Sequence, residues 1–138
     1  MKREIKFRGM TKANNVMVFG DLIACPNGEH RIIWFELKGE LPLDVDCTSY
    51  NEVIQSSTIG QFTGIKDEVE KEIWEGDILE FPFETGIAYV INDGFRFAVK
   101  SPGSESVDYE GETVLKQARV IGNIYQNPEL LSTPTAVL

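Results

Sequence analysis

Residues that usually build reactive or cross-linked sites are scarce in this chain. Its 138 residues include one histidine, His30, and two cysteines, Cys25 and Cys47. Two cysteines are too few for a disulfide scaffold, and neither has metal-ligand spacing to the histidine or to the other cysteine. A histidine without a partner also cannot act as the base of a nucleophile. We therefore expect free thiols in a reducing cytoplasm, no cofactor and no enzymatic activity.

Long apolar runs are missing as well. No segment approaches the roughly 20 apolar residues of a membrane-spanning helix. The first residues lead into an alternating segment rather than into the apolar core of a signal peptide. Gly64 and Gly76 are turn glycines that fall outside any phosphate-binding pattern. The sequence therefore predicts a chain with no membrane partner and no phosphate-binding loop.

Positive charge is in short supply, with 13 Lys and Arg against 22 Asp and Glu, for a net charge of −9. The imbalance is uneven along the chain. Residues 1–59 carry 7 basic and 8 acidic groups, a net charge of −1, and residues 60–138 carry 6 and 14, a net charge of −8. An acidic surface repels phosphate, so the composition argues against a nucleic-acid partner.

The one basic cluster lies at the start of the chain. Residues 2–8 alternate as a half-buried strand, with Ile5 and Phe7 on one face and Lys6 and Arg8 on the other. The basic face suggests an alternative function, nucleic-acid binding through this first strand. The simpler interpretation is a solvated face attracted to the acidic half of the same protein.

Short apolar segments predict an antiparallel N-terminal part. Runs at 16–19 and 22–25 predict two strands separated by a stop at Gly20. The segment 30–37 has apolar residues on both faces, so we expect it to be central or covered by another element. A threonine followed by an acid four positions later is a helix start signal, so residues 48–54 predict a short helical turn.

Residues 58–81 predict two strands facing one core, around which the rest of the chain is organised. Trp74 and Ile78 flank a turn at Gly76 and Asp77, where glycine allows a sharp bend and aspartate can bond the backbone. Burial of a side chain such as Trp74 contributes about 2 kcal/mol, which favours a core position over a ligand platform. Glu75 and Asp77 form a candidate acid pair for hydrolysis, but bonding within the turn also explains them.

A hairpin is predicted at 86–100, with its turn at Asp93 and Gly94. Phe95, Phe97 and Val99 are expected to point inward. Aromatic residues on a strand also occur in RNA-binding sheets, where they stack on bases, but this run lacks a basic lead-in. A last strand is predicted at 117–121, followed by a turn at 127–131.

An acidic loop is predicted between residues 105 and 112. Its carboxylates suggest a divalent cation site, and hence a metal-dependent hydrolase as a third and weakest hypothesis. The spacing matches no calcium-loop pattern, so a solvated loop is favoured. The four acids are Glu105, Asp108, Glu110 and Glu112.

Three motifs together resemble the YopX family of phage and prophage proteins. They are GQFTGIKD at 60–67, KEIWEGDIL at 71–79 and RVIGNIYQNPELL at 119–131, and the opening REIKFRGM at 3–10 also fits. The resemblance implies an SH3-like β-barrel in the C-terminal half, a function that is not established and no catalytic residues. Glu68-Val69-Glu70 departs from the family's Asn-Gly type of turn, which allows a longer loop or a helical turn.

We therefore predict a mainly β protein with an antiparallel N-terminal subdomain at 1–56, an SH3-like barrel at 57–131 and a loose tail at 132–138. The predicted function is that of a non-enzymatic phage or prophage accessory protein in the cytoplasm of the bacterial host. Its expected partner is a host or phage protein, and exposed edge strands also favour self-pairing into a homo-oligomer. The predicted interaction surface comprises Lys6, Arg8, Glu105, Asp108, Glu110 and Glu112.

Overall fold

The structure is a computed structural model that describes residues 4–39, 46–82, 86–104, 107–108 and 111–132. The chain divides into two compact units. One unit is Ile5–Gln61, and the other is Phe62–Leu138 together with Met1–Glu4. The unit boundary thus follows Gln61, whereas the sequence placed a subdomain boundary after residue 56.

The N-terminal unit is an antiparallel sheet with strand order β4-β3-β2-β1-β5. A short 3-10 helix, Ser56–Thr58, leads from β4 into β5, and β5 contributes Gly60 and Gln61 to this unit. The strands are β1 (Phe7–Met10), β2 (Met17–Ala24), β3 (His30–Lys38), β4 (Asp46–Ile54) and β5 (Gly60–Lys66).

This sheet curls so that the end of β1 reaches the end of β4. Thr11 forms an isolated bridge with Ile54, and the Lys12 N–H donates to the Val53 carbonyl at 3.0 Å. The curl encloses a small core of Met10, Ile32 and Ile54. Gly9 lies against this core, where any side chain would overlap the Cγ2 atom of Ile54.

The C-terminal unit contains the remainder of β5, which pairs with β6, and a five-stranded antiparallel sheet with order β10-β9-β8-β7-β11. Its core cluster includes Ile73, Leu79, Val90 and Val120. The elements are β6 (Glu72–Trp74), β7 (Asp77–Glu80), β8 (Ile87–Asn92), β9 (Phe97–Lys100), β10 (Val107–Asp108), α1 (Glu112–Leu115), β11 (Arg119–Asn123) and α2 (Glu129–Ser132).

The prediction of a mainly β fold is confirmed. Both sheets are antiparallel, and the two α-helices have four residues each. Among the described strands, no pairing joins β10 to β11 to close the five-stranded sheet. The SH3-like barrel therefore stays a prediction.

Two local predictions in the N-terminal part were wrong. Residues 48–54 lie in β4 and not in a helical turn, because nine consecutive residues of β4 pair with β3. Cross-strand pairing outweighs a local helix start signal. The runs at 16–19 and 22–25 are parts of one strand, since β2 continues through Gly20 and pairs first with β1 and then with β3.

Two apolar residues were also expected inward and are not. Phe95 is 97% exposed, because the turn after β8 extends to Arg96 and β9 begins only at Phe97. Phe97 itself packs against the core, as predicted. Ile5 is 61% exposed, because it precedes β1.

The C-terminal predictions are shifted by a few residues. The last strand is Arg119–Asn123 rather than 117–121, and a short helix, Glu129–Ser132, overlaps the turn predicted at 127–131. The predicted acidic loop contains the short strand Val107–Asp108 and the first residue of α1, Glu112. The predicted tail, apart from Ser132, lies outside the described residues.

We predict that Gly9→Ala lowers the free energy of unfolding by about 1–3 kcal/mol, because the added methyl group overlaps Ile54 in a packed core. Urea denaturation followed by circular dichroism measures the change. Gly111→Ala is the matched control, because its added methyl group meets no heavy atom within 4 Å. Equal stabilities of the two variants would contradict the close packing around Gly9.

Candidate functional site

The carboxylate of Asp67 accepts hydrogen bonds from three backbone N–H groups of the C-terminal unit. One oxygen, Oδ1, accepts hydrogen bonds from the backbone N–H groups of Val69 and Lys71, each at 2.9 Å. The other, Oδ2, accepts from the N–H of Val120 at 2.9 Å, 53 residues away in the chain. The side chain therefore joins the turn after β5 to β11. The turn includes Glu70 at a φ of 65°, where the sequence departs from an Asn-Gly type of turn.

Opposing effects act on the pKa of Asp67. Burial favours the neutral acid and raises the pKa, whereas the hydrogen bonds from the backbone of Val120, Lys71 and Val69 stabilise the carboxylate and lower it. The hydrogen bonds prevail, and the pKa lies below its ordinary value. Asp67 is thus a buried anion at neutral pH that accepts three backbone hydrogen bonds.

The predicted Gly-Asp turn contains a second buried aspartate, Asp77, that accepts a backbone hydrogen bond. The Oδ2 atom of Asp77 accepts a hydrogen bond from the N–H of Trp74 at 2.7 Å, and Asp77 is buried. Gly76 has a φ of 93°, and a Cβ atom there would lie 2.9 Å from the ring of Tyr125. Hydrogen bonding within the turn therefore accounts for the position of Asp77.

A third side chain of this kind, that of Asn123, closes the turn after β11. The Oδ1 atom of Asn123 accepts from the N–H groups of Tyr125 and Gln126, at 3.0 and 2.8 Å. Gly122 packs so closely on Asn127 that a Cβ atom would lie 2.6 Å from its Oδ1. This turn bonds back to the Gly-Asp turn, because the N–H of Ile124 donates to the carbonyl of Gly76 at 2.9 Å.

The acids predicted as a loop do not form a described metal site. Asp108 is exposed, and Glu112 forms an exposed ion pair with Lys116 at 3.3 Å. Glu105 and Glu110 lie outside the described residues. Among the residues that are described, no three His, Cys, Asp or Glu side chains are gathered as metal ligands. The cleft beside Glu112, about 380 Å³, is lined by acids and by the cations Lys66 and Lys116.

The basic face predicted on the first strand is not presented to solvent as expected. Lys6 is half-buried and Arg8 is 6% exposed. Arg8 lies in β1, which is flanked on both sides by β2 and β5, with Arg8 opposite Phe19 and Gly60. The expectation that Arg8 points into solvent was therefore wrong, and its guanidinium is not available on the surface for phosphate.

The distal end of the β3–β4 hairpin is an exposed part of the described chain. We call Phe35–Lys38 of β3 and Asp46–Ser49 of β4 the hairpin arm. The eight residues form four cross-strand pairs, and all of them are exposed. The pairs are Phe35 with Ser49, Glu36 with Thr48, Leu37 with Cys47 and Lys38 with Asp46.

The hairpin arm has one apolar side and one polar side. Side chains alternate across a strand and directly opposed residues share a side. Phe35 and Leu37 therefore lie with Cys47 and Ser49, whereas Glu36 and Lys38 lie with Thr48 and Asp46 on the other side. Phe35 is 57% exposed and Leu37 is 67% exposed, so the described part of the chain leaves the apolar side largely open.

The base of the arm is held firmly. The rings of Trp34 and Tyr50 stack with their centroids 5.5 Å apart, and Arg31 donates from Nη1 to the Oδ1 atom of Asn51 at 2.7 Å. Ile32 is fully buried beneath this pair of strands. An anchored base gives the arm a defined direction, which is what a contact surface requires.

The sequence signal for the arm was the apolar content of both faces of residues 30–37, which predicted a central or covered strand. In the structure, Ile32 is buried in the core, while Phe35 and Leu37 are on the other face of β3 and remain exposed. The pattern thus combines a core position with an exposed apolar side. Sequence reasoning missed the arm because it did not place the partner strand at 46–54.

Comparison with known proteins gives a family and a similar solved structure. Residues 6–132 match the family model described as YopX protein. The crystal structure of protein EF1440 from Enterococcus faecalis is similar, with 25% sequence identity, a TM-score of 0.58 and coverage of 94% of this chain and 99% of that chain. No curated protein matches the sequence. Within the described residues, no helix has the length and apolar character to span a membrane.

We predict that Asp67→Asn lowers the free energy of unfolding at pH 7 by about 1–3 kcal/mol, because an amide N–H₂ group would face one of the backbone N–H donors. The native carboxylate has a lowered pKa, so its stabilisation is present above the unfolded pKa of about 3.9 and is lost as the pH falls through the folded value. The deficit of the variant should therefore shrink below about pH 4. Urea denaturation between pH 7 and pH 3 tests this.

Asp108→Asn is the control for this prediction, because Asp108 is exposed in the same unit. We expect its free energy of unfolding to stay within about 0.5 kcal/mol of the native value at every pH. A deficit in Asp67→Asn that is constant down to pH 3 would contradict the role of the ionised carboxylate.

Proposed function

The chain belongs to the YopX protein family, and from this premise we propose that it is a phage- or prophage-derived accessory protein that acts by binding a host or phage protein. In this proposal the hairpin arm of the N-terminal unit supplies the binding site. The protein has no catalytic role of its own. It works in the cytoplasm of the bacterial host, in keeping with two cysteines that are both free thiols.

The observation that carries the proposal is the exposed apolar side of the arm, formed by Phe35 and Leu37. A two-stranded hairpin is marginally stable in water and gains stability when one face is covered. Contiguous exposed apolar surface of this kind is typical of protein contact sites. The polar side of the arm, with Glu36 and Lys38, keeps the other face in water.

The residues that carry the family resemblance have structural roles, which supports a binding function that resides elsewhere in the chain. Asp67, Gly76, Asp77 and Asn123 form bonds or close contacts within the C-terminal unit. Side chains that hold the backbone in this way are poor candidates for catalysis, since these hydrogen bonds fix their position and use part of their acceptor capacity. A contact surface outside these motifs is therefore favoured over a reactive site within them.

Two finer assignments belong to this proposal. The C-terminal unit is an SH3-like barrel, supported by its antiparallel strands and by the short helix α1 just before β11. The exposed acids Asp108 and Glu112, in the half that carries a net charge of −8, form a second contact for a basic patch on the partner. Long-range attraction to such a patch would accelerate association.

We predict that the double variant Phe35→Ser, Leu37→Ser loses binding to its partner by about tenfold or more, because it removes both apolar anchors of the arm. Tagged native protein is used to capture partners from a lysate of phage-infected bacteria. The captured protein is then purified, and its dissociation constants for native and variant chains are measured by biolayer interferometry.

The matched control is Glu36→Gln, which changes the polar side of the same arm and should bind as the native protein does. Thermal unfolding of all three chains should agree, since the altered side chains are exposed. Native-like affinity in the double variant would reject the arm as the binding site. Turnover of a substrate by the purified protein would reject the non-enzymatic function.

A further inference from the structure

The outer edge of β4 is open over most of its length. In the described sheet, β4 has β3 as its strand neighbour on one side, and only its last residues, Val53 and Ile54, meet the segment just after β1 on the other. Cys47, Ser49 and Asn51 are all exposed on this strand. An open edge presents unpaired backbone donors and acceptors to another strand.

The hydrogen bonds at the end of β4 show which backbone groups point outward. The carbonyl of Val53 accepts from Lys12 of the β1 side, and the N–H of Gln55 donates to Met10. In an antiparallel ladder the N–H and C=O of one residue point to the same side, and the side alternates along the strand. The outward groups of β4 are therefore those of Cys47, Ser49 and Asn51, and the intervening residues bond to β3.

Within its described residues this edge lacks proline, lysine and a bulge, three features that protect natural edge strands from pairing. Natural edge strands are shielded by proline, by lysine, by bulges or by a covering element. Between Asp46 and Glu52 the sequence contains no proline and no basic residue. The register with β3 is continuous, from Lys38 opposite Asp46 to His30 opposite Ile54, so no bulge interrupts the strand.

Charge also permits this part of the molecule to meet its own copy. Residues 1–59 have a net charge of −1, whereas residues 60–138 have a net charge of −8. The strongly repulsive charge of the protein is thus carried by the half that does not contain β4. Added salt screens the remaining repulsion between two chains.

We propose that β4 pairs antiparallel with β4 of a second copy of this chain, about a two-fold axis. An antiparallel strand edge is self-complementary under this symmetry. A register centred on Thr48 places Cys47 opposite Ser49 and joins their outward groups by backbone hydrogen bonds. A register centred on Ser49 is less favourable, because it would place Asp46 opposite Glu52, two like charges. A register centred on Tyr50 would require the carbonyl of Val53, which already accepts a hydrogen bond from Lys12.

The dimer is weak, because a strand edge buries little surface. Interfaces below about 1,200 Å² are typical of transient contacts. This inference goes beyond the proposed function, since it uses the edge of β4 and its own copy rather than the apolar side of the arm and another protein. The two can therefore fail separately.

The first test is the molar mass of the full chain by sedimentation equilibrium, from about 10 to 500 µM, at low salt and in 0.5 M NaCl. We expect a concentration-dependent rise toward twice the monomer mass, reached at lower concentration in high salt because screening reduces repulsion. A monomer at every concentration and both salt levels would overturn the proposal.

The second test replaces Ser49 with proline, which removes an outward N–H while leaving the bonds between β3 and β4 in place. Ser49→Pro should remain monomeric across the range in which the native chain dimerises, and Ser49→Thr, the matched control, should dimerise as the native chain does. Dimerisation of a folded Ser49→Pro chain would overturn the proposal. Phe35→Ser should leave dimerisation unchanged, which separates this contact from the partner-binding side.

A measurement on the native chain covers the case in which Ser49→Pro does not fold. Amide hydrogen exchange, followed by NMR at 20 and 500 µM, should show the Cys47 and Ser49 amides slowing at least severalfold at the higher concentration. The amide of Phe95, which donates to the Oδ1 atom of Asp93 within the turn after β8, serves as a reference that should not change. Equal exchange of Cys47 and Ser49 at both concentrations would also overturn the proposal.

Discussion

The bond from the carboxylate of Asp67 to the N–H of Val120 connects parts of the C-terminal unit that are 53 residues apart. The same side chain closes the turn after β5, so one buried anion sets both a local turn and a long-range contact. Burial of this carboxylate is tolerated only because three backbone N–H groups donate hydrogen bonds to it. The positions of β5 and β11 in this unit both depend on that arrangement.

Several residues that carry the family resemblance therefore have structural roles, and we propose that the function resides elsewhere in the chain. Asp77 and Asn123 repeat the pattern of Asp67, with a buried side-chain oxygen that accepts from nearby backbone N–H groups. Such groups specify a fold because leaving them unsatisfied is costly. A chain can resemble its family at these positions and still differ elsewhere, and the hairpin arm lies outside them.

The sequence predicted what depends on local pattern and missed what depends on long-range pairing. The turn at Gly76 and Asp77 and the hairpin at Asp93 and Gly94 follow from short-range chemistry that the structure retains. By contrast, β4 was not predicted, because its polar residues gain their strand conformation only from pairing with β3. Arg8 was misplaced because alternation cannot tell which face of a strand a neighbouring element covers.

The candidate surfaces share one hairpin but use different physical groups. The apolar side of the arm offers the side chains of Phe35 and Leu37, whereas the edge of β4 offers backbone groups in the plane of the sheet. Pairing at the edge leaves both faces of a sheet accessible. Because a two-fold axis perpendicular to the sheet keeps like faces together, a dimer would set two apolar sides next to each other. Self-association would then enlarge the surface presented to a partner rather than compete with it.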